Sequence, residues 1–276
     1  MITGAGGQLG VELVRLFPSD DTIALSRAQL DITNGQQVME AIESHKPDLV
    51  VHAAAMTQVD ACESRQSDAY RINVVGAWQV ARASARVGAA MVYVSTNYVF
   101  NGARLGPYRE YDAPAPLSAY GLTKWQGELA ARQVCEKLYV VRTAWVYSRW
   151  RRNFVSTLLK AADGDAPLSY VGDQVANPTY ARDLADAIVR LVDSGAYGVY
   201  HLVNEGATSW YGWATTVLRA LDRRTVVVSE IPAADFARPA QIPANSELGN
   251  ETARSLGITL RPWGDALKEY LRENWA

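Results

Sequence analysis

The sequence has few cysteines and histidines, and its charges almost cancel. Its 276 residues include two cysteines, Cys62 and Cys135, and three histidines. Neither set has the spacing of a metal site, so we expect no bound metal, two reduced thiols and a cytoplasmic protein. The net charge of −2 provides no strong positive field, which argues against nucleic acid or an anionic membrane as a partner.

Long apolar runs are also missing. Because no stretch of about 18 apolar residues is present, we expect no transmembrane helix. No basic start followed by an apolar stretch marks a signal peptide. Hydrophobic residues make up 49% of the chain, which is an ordinary share for a globular protein. The chain is long enough to bury a substantial core in one large unit or two modest ones.

Strands and helices alternate through the first half of the sequence. The predicted strands are residues 22–25, 49–52, 91–94 and 138–142, and the predicted helices are 36–45, 69–87 and 118–135. Such alternation predicts an α/β fold with a parallel sheet and helices on both of its faces. The second half is less regular, with predicted helices at 153–163, 182–193, 210–221 and 263–273 and a strand at 226–230.

A glycine-rich segment opens the chain. Residues 4–10 read GAGGQLG and run directly into an amphipathic helical stretch at 11–17. Glycine lets the backbone turn tightly and approach a phosphate, and a helix N terminus supplies partial positive charge. The alternative is a strand-to-helix turn without a ligand. The position of the glycine-rich segment at the first strand-to-helix turn favours a dinucleotide site.

Tyr120 and Lys124 are four residues apart on a predicted helix, so their side chains face the same way. A lysine close to a tyrosine stabilises the phenolate and lowers the pKa of the phenol. Such a tyrosine can exchange a proton near neutral pH, as the reduction of a carbonyl group requires. The same spacing also occurs in helices where Tyr is a packing residue and Lys is solvated.

Two hydroxyl residues, Ser95 and Thr96, end a β-branched strand that begins near Val92. Ligands of open α/β sheets bind outside the carboxyl ends of the strands. A hydroxyl at that position can donate to a substrate carbonyl oxygen and stabilise the negative charge that develops there. The alternative is that both hydroxyls satisfy nearby backbone groups.

Taken together, these motifs resemble the extended short-chain dehydrogenase/reductase family and, within it, the dTDP-4-dehydrorhamnose reductase branch. The resemblance extends over almost the whole chain, through short blocks at residues 4–10, 30–33, 46–60, 73–76, 120–128, 141–147, 153–154, 173–174, 178–179, 198–201 and 209–210, with weaker matches at 238–239 and 245–248. It implies a Rossmann-type doubly wound parallel sheet with a smaller C-terminal α+β substrate domain. Residues 1–142, with a return segment at about 180–203, would form the dinucleotide-binding domain, and residues 143–179 and 204–276 the substrate-binding domain.

The sequence departs from the branch at three places. Asn97 stands where the branch usually has Asp, and Ala176 stands where it usually has Gly. Only three residues precede Gly4, whereas family members carry a few more. Either the chain start is placed late or the first strand is truncated. The change at Asn97 keeps the size and removes a charge, which invites a shift in substrate.

The cofactor prediction comes from the end of the second strand. Ser26 and Arg27 follow that strand, and a hydroxyl with a guanidinium suits a 2′-phosphate. We therefore predict NADPH, with NADH as a second usable cofactor; a solvated Arg27 is the alternative. The resemblance implies these cofactor-binding residues: Gly4, Gly7, Gln8, Leu9, Gly10, Ser26, Arg27, Asp31, Ile32, Ala53, Ala54, Ala55, Tyr120 and Lys124.

The resemblance further implies NADPH-dependent reduction of the C4 keto group of dTDP-4-dehydro-L-rhamnose, a nucleotide-diphosphate sugar, to dTDP-L-rhamnose. Thr96 would bind the carbonyl oxygen, Tyr120 would give the proton and Lys124 would tune Tyr120. The predicted substrate contacts are Tyr98, Trp145, Asn153 and Arg238, with packing as the alternative for Trp145. The cluster Arg149, Arg151 and Arg152 is a further candidate for the substrate diphosphate, or else a solvated face.

Other functions remain open on the same scaffold. One is a 4-ketoreductase or an epimerase acting on another nucleotide-linked deoxysugar. Another is a non-catalytic regulatory subunit, because relatives of this branch serve as partners of a synthetase for a methyl-transfer cofactor. The intact set Thr96, Tyr120 and Lys124 argues against that role. The sequence leaves open the configuration made at C4 and whether the protein is a homodimer.

Overall fold

The computed structural model describes residues 1–17, 19–164, 166–223 and 225–275. Its strands are β1 (Ile2–Thr3), β2 (Ala24–Leu25), β3 (Leu49–His52), β4 (Ala90–Thr96), β5 (Leu138–Thr143), β6 (Val146–Tyr147), β7 (Leu168–Val171), β8 (Val175–Ala176), β9 (Thr179–Tyr180), β10 (Gly198–His201), β11 (Thr208–Ser209) and β12 (Val228–Ile231). Its α-helices are α1 (Gln8–Leu16), α2 (Gly35–His45), α3 (Val59–Ser64), α4 (Gln66–Tyr70), α5 (Ala77–Arg86), α6 (Ala119–Arg132), α7 (Phe154–Ala162), α8 (Ala181–Asp193), α9 (Trp210–Ala220), α10 (Glu251–Ser255) and α11 (Trp263–Trp275). No described helix is long and apolar enough to cross a membrane.

A six-stranded sheet with the order β10-β5-β4-β3-β1-β2 occupies the centre, and every pairing in it is parallel. The α/β fold with a doubly wound parallel sheet, expected from the sequence, is therefore confirmed. The chain leaves β1 toward β2 on one side and returns to β3 on the other, where Thr3 pairs with His52. Ligands of such sheets bind in the crevice at this reversal of strand order. The glycine-rich segment follows β1 at that crevice.

The central strands are buried on both faces, as expected for a parallel sheet covered by helices. Side chains alternate between the faces with a period of two residues. Val50 and Met91 belong to one hydrophobic core, whereas their neighbours Val51 and Val92 belong to the other. Burial of each such side chain contributes roughly 1.5–3 kcal/mol. The two cores hold β3 and β4 in place, and with them the strand ends that form the site.

A third core lies outside the sheet and is rich in aromatic side chains. Tyr147, Tyr180, Trp213 and Tyr270 are almost fully buried in it, and their rings contact one another edge-on or stacked. Helices α7, α9 and α11 supply much of this core, together with the strand pair β7 and β12. Because its members are far apart in sequence, this core depends on long-range packing.

The helix predicted at 69–87 contains a π-helical segment at Arg71–Gly76, between α4 and α5. Asn73 lies in this segment, and its side chain binds the backbone nitrogen of Met56 at 2.8 Å and the backbone oxygen at 3.1 Å. The Asn73 amide nitrogen also lies 3.1 Å from the hydroxyl of Thr123. Asn73 thus joins the loop after β3 to α6. Such π-helical segments often occur beside functional sites.

Candidate active site

A groove runs over the carboxyl ends of the sheet strands and consists of two adjoining cavities. The inner cavity, about 420 Å³, is lined by Gly7, Gln8, Leu9, Gly10, Ala53, Ala55, Thr57, Val59, Val94, Ser95, Thr96, Asn97, Tyr98, Tyr120, Lys124, Thr143, Ala144, Trp145 and Val146. The outer cavity, about 490 Å³, is lined by Gly4, Gly6, Gly7, Ser26, Arg27, Ala28, Leu30, Asp31, Ile32, Thr33, Ala53, Ala54, Ala55, Arg71, Ile72 and Arg151. Gly7, Ala53 and Ala55 line both cavities. All fourteen residues that the sequence assigns to the cofactor therefore lie along one groove.

Two glycines of the glycine-rich turn have no room for a side chain. Gly4 has a φ of +72°, and a Cβ there would lie 2.7 Å from the backbone nitrogen of Ala54. A Cβ on Gly10 would lie 2.3 Å from the backbone oxygen of Gly4. Helix α1 begins after Gly7, and no side chain caps it. An uncapped helix N terminus at a bare backbone turn suits the diphosphate of a dinucleotide, so this region fits the predicted cofactor.

The outer cavity ends beside β2, where Ser26 and Arg27 follow the strand. Both the backbone nitrogen and the hydroxyl of Ser26 bind the side-chain oxygen of Gln29, at 2.9 and 2.7 Å. Asp31 accepts from Thr33, and these hydrogen bonds lower the pKa of Asp31, with the charges of Arg71 and Arg27 acting in the same direction. Arg27 makes no hydrogen bond or ion pair with the part of the chain that the structure describes.

Thr96, Tyr120 and Lys124 meet at the wall of the inner cavity. Thr96 is the last residue of β4, and Ser118 caps α6 by accepting from Gly121 at 3.1 Å. This cap fixes the start of the helix that carries Tyr120 and Lys124. Burial raises the pKa of Tyr120 to about 12, and a hydrogen bond with Thr96 acts in the opposite direction. The phenol is therefore protonated at neutral pH and lies beside the Thr96 hydroxyl.

The expected lowering of the Tyr120 pKa by Lys124 is wrong for this structure. The Lys124 ammonium nitrogen lies 4.1 Å from the centre of the Tyr93 ring, in a cation–π contact. Lys124 is 2% exposed, and burial lowers its pKa to about 7, against the opposing effect of Glu128. Desolvation thus dominates at both groups and disfavours the charged form of each.

A buried ion pair lies behind the wall of the inner cavity that Thr96, Tyr120 and Lys124 form. The sequence pattern assigned this ion pair no role. Glu128 binds Arg142 through two hydrogen bonds, at 3.0 and 2.8 Å, and also accepts from the hydroxyl of Ser95. The side chains of Arg142 and Glu128 are 4% and 2% exposed. Glu128 lies one helical turn beyond Lys124, and this spacing was the signal that could have identified it. The pair connects α6 to β4 and β5.

Two predicted substrate contacts, Tyr98 and Trp145, line the inner cavity. The Tyr98 ring meets Tyr120 edge-on, with 6.0 Å between ring centres. Trp145 has a φ of +41° and stacks on Trp210, with 3.6 Å between ring centres. The buried indole of Trp145 faces the phenol of Tyr98 and acts to lower the pKa of that phenol, against the larger effect of burial. Trp145 thus connects the cavity wall to the aromatic core through Trp210.

The other two predicted substrate contacts have different surroundings. Asn153 caps α7, accepts from Ser156 at 3.2 Å and donates to the backbone oxygen of Arg151 at 3.1 Å. Arg238 forms a two-bond ion pair with Asp60, at 3.1 and 3.0 Å. Neither side chain is part of the described lining of the groove. Both substrate contacts stay predictions; the charges of Arg238 and Asp60 act on Tyr98, which lines the inner cavity.

A parallel sheet with a bare glycine turn at its strand reversal, and a Thr–Tyr–Lys cluster at the neighbouring strand ends, defines the class of Rossmann-fold short-chain dehydrogenases/reductases. The chain belongs to the family described as the RmlD substrate binding domain, whose family model matches residues 1–275.

Individual relatives are similar over nearly their full length. The spore coat polysaccharide biosynthesis protein SpsK of Bacillus subtilis is 40% identical over 275 residues, which cover 99% of this chain and 96% of SpsK. A dTDP-4-dehydrorhamnose reductase of Mycobacterium tuberculosis is 40% identical over 276 residues, covering 97% of this chain and 90% of the relative. The crystal structure of the dTDP-4-dehydrorhamnose reductase of Bacillus anthracis in complex with NADP superposes with a TM-score of 0.94 at 36% identity, covering 99% and 98% of the two chains.

Proposed function

We propose that this protein reduces the C4 keto group of dTDP-4-dehydro-L-rhamnose to dTDP-L-rhamnose, with NADPH as the reductant. The observation that carries the proposal is the meeting of Thr96, Tyr120 and Lys124 at one wall of a groove that continues past the glycine turn. Relatives that are similar over the full chain carry the reductase name, and one of their structures holds NADP. A keto sugar in the inner cavity would lie next to the nicotinamide end of a cofactor in the groove.

The two cavities of this groove suggest that different segments of the chain bind the cofactor and the substrate. We assign residues 1–142 and the segment at about 180–203 to dinucleotide binding, because the sheet, up to the last residue of β5, and the outer cavity, apart from Arg151, are built from them. We assign residues 143–179 and 204–276 to substrate binding. The aromatic third core stabilises that part, and Trp145 extends from it into the inner cavity.

The residues of the inner cavity divide the reaction between them. Bound NADPH supplies the hydride that adds to C4 of the sugar. As negative charge develops on the carbonyl oxygen, the Thr96 hydroxyl turns its proton to that oxygen from the Asn97 amide oxygen, which lies 3.2 Å away. Tyr120 then transfers its phenolic proton to the same oxygen, which completes the alcohol. Lys124 lines the same cavity one helical turn beyond Tyr120, where its side chain would contact the bound cofactor.

The experiment that tests the proposal measures NADPH oxidation by the purified protein on dTDP-4-dehydro-L-rhamnose, with Tyr120→Phe as the variant. We expect turnover to fall by about a hundredfold or more, because the proton donor is gone, while NADPH binding is retained. Tyr111→Phe is the matched control, since Tyr111 is 71% exposed and lies away from the groove lining. An unchanged rate in Tyr120→Phe would sink the assignment of the proton donor.

A second candidate is the reduction of another dTDP-linked 4-keto deoxysugar. Asn97 favours it, because this neutral amide lines the inner cavity where the branch usually places a carboxylate. Turnover with a different keto sugar, and none with dTDP-4-dehydro-L-rhamnose, would favour this second function. Identification of the product by NMR would give the configuration at C4. Interconversion of two sugars without net consumption of NADPH would instead indicate an epimerase.

A further inference from the structure

Arg151 lies on the cofactor side of the groove, although its sequence neighbourhood suggested a contact with the substrate diphosphate. It lines the outer cavity together with Gly4, Gly6 and Gly7. Its Nε donates to the backbone oxygen of Gly6 at 2.7 Å. A terminal guanidinium nitrogen lies 3.3 Å from the point that a Cβ on Gly6 would occupy. The guanidinium therefore sits directly against the glycine turn.

The segment that carries Arg151, residues 148–151, is held on α1 by contacts of its own; we call it the strap. The indole nitrogen of Trp150 donates to Glu12 at 2.8 Å, and the Glu12 side chain is 3% exposed. The hydroxyl of Ser148 bonds the side-chain oxygen of Gln8 at 3.4 Å. Gln8 and Glu12 lie one turn apart on α1, so the strap follows the first turns of that helix. These contacts fix where Arg151 lies along the glycine turn.

The Arg151 guanidinium has N–H donors that pair with none of the described residues. Of its five N–H groups, one is used by Gly6, and the two terminal nitrogens have no hydrogen-bond partner among the described residues. The N terminus of α1 is likewise without a side-chain cap. A planar guanidinium and a helix N terminus, placed on the same turn, are both suited to phosphate oxygens.

We propose that Arg151 binds the diphosphate bridge of the dinucleotide, as a second donor group beside the N terminus of α1. This inference rests on the proposed use of NADPH and names a further residue of that site. The diphosphate is the anionic group that lies at the first strand-to-helix turn of such sheets, and Gly6 belongs to that turn. The 2′-phosphate belongs instead at the end of β2, beside Ser26 and Arg27. The two arginines therefore serve different phosphates.

The test is equilibrium binding of NADPH and of NADH to Arg151→Gln, measured by calorimetry at low ionic strength. Both cofactors have the diphosphate, so we expect both to bind roughly tenfold more weakly, by the same factor. Arg27→Gln should weaken NADPH and leave NADH unchanged, because NADH lacks the 2′-phosphate. Arg152→Gln is the matched control. Arg152 is the next residue in the chain and is exposed, but it does not line the outer cavity, and its Nε bonds Thr157 at 3.2 Å. Unchanged thermal unfolding of the variants would show that the strap stays folded.

Four results decide between the possibilities. Equal loss of both cofactors in Arg151→Gln, with normal binding in Arg152→Gln, supports the proposal. Normal binding in Arg151→Gln, or a loss confined to NADPH, overturns it, the latter because the guanidinium would then contact the 2′-phosphate. If the unaltered protein binds neither cofactor, the proposed function fails and this inference fails with it.

Discussion

Asn97 and Ser246 are 149 residues apart in the chain, yet the Asn97 amide nitrogen donates to the hydroxyl of Ser246 at 2.8 Å and to its backbone oxygen at 3.2 Å. The Asn97 amide oxygen lies 3.2 Å from the hydroxyl of Thr96, which donates to it. Asn97 therefore connects a C-terminal segment to the hydroxyl that we place on the substrate carbonyl. A carboxylate in this position has no proton to donate to a backbone oxygen.

Replacement of this amide by a carboxylate should therefore be unfavourable. We expect Asn97→Asp to lower the free energy of unfolding by about 1–3 kcal/mol, because a buried donor is lost and two oxygens then face each other. Urea unfolding at neutral pH measures this difference. Ser246→Ala removes the hydroxyl and keeps the backbone oxygen, so its cost should be smaller, about 0.5–1.5 kcal/mol. A carboxylate variant as stable as the unaltered protein would contradict the role given to the amide.

Lys124 should make stability depend on pH. Burial lowers the pKa of Lys124 from its ordinary value of 10.5 to about 7 in the folded protein. Between these values the unfolded chain binds more protons, so stability rises with pH, and the cost of burying Lys124 is largest below pH 7. Lys124→Met removes this dependence. We therefore expect the stability gain of Lys124→Met over the unaltered protein to shrink as pH rises through this window, measured by urea unfolding. A difference that is independent of pH would contradict the lowered pKa.

Removal of the Glu128 charge should cost more stability than removal of a charge from an exposed ion pair. Glu128→Gln should destabilise the protein by about 3–5 kcal/mol, because it leaves the buried guanidinium of Arg142 without its counter-charge. The control is Glu43→Gln at the exposed pair Glu43–Arg86, whose side chains are 41% and 65% exposed. That loss should be below about 1 kcal/mol. Comparable effects of the two variants on the denaturation midpoint would argue against a structural role for the buried pair.

Gly127 marks the closest approach between α6 and its neighbours. A Cβ there would lie 2.3 Å from the Tyr93 hydroxyl and 2.4 Å from the backbone oxygen of Asn73. Gly127→Ala should therefore cost about 1–3 kcal/mol through overpacking and move the helix that carries Tyr120. Gly264 in α11 has nothing within 4 Å of the same point, so Gly264→Ala should leave stability unchanged or raise it. Thermal unfolding and turnover of the two variants give the comparison.

The sequence predicted the features that depend on local pattern. Alternating strands and helices predicted the parallel sheet, and the glycine turn with Tyr120 and Lys124 predicted where the groove lies. The π-helical segment around Asn73 was missed, because hydrophobic periodicity does not distinguish one extra residue per turn from a regular helix. Asp60, the partner of Arg238, lies 178 residues away, and no local pattern indicates that pairing.

The pKa values of Tyr120 and Lys124 also could not be predicted from the local sequence pattern. The spacing of Tyr120 and Lys124 indicates that they share a helix face, and says nothing about how much water reaches them. Burial lowers the pKa of Lys124 and the charge of Glu128 opposes that effect. The burial comes from tertiary packing, which includes the Tyr93 ring under the Lys124 ammonium. The place of Arg151 in the outer cavity was beyond local pattern for the same reason, because the fold of the strap decides which side of the groove this side chain reaches.

Helix α6 carries Tyr120, Lys124 and Glu128 at intervals of four residues, so the reacting hydroxyl, the buried ammonium and the partner of Arg142 lie along one slowly turning line. One residue inserted between any two of them would rotate those on one side by about 100° relative to the rest. The phenol would leave the cavity, or the carboxylate would leave the arginine. The spacing within α6 thus couples the position of the Tyr120 phenol in the cavity to the position of the Glu128 carboxylate on Arg142.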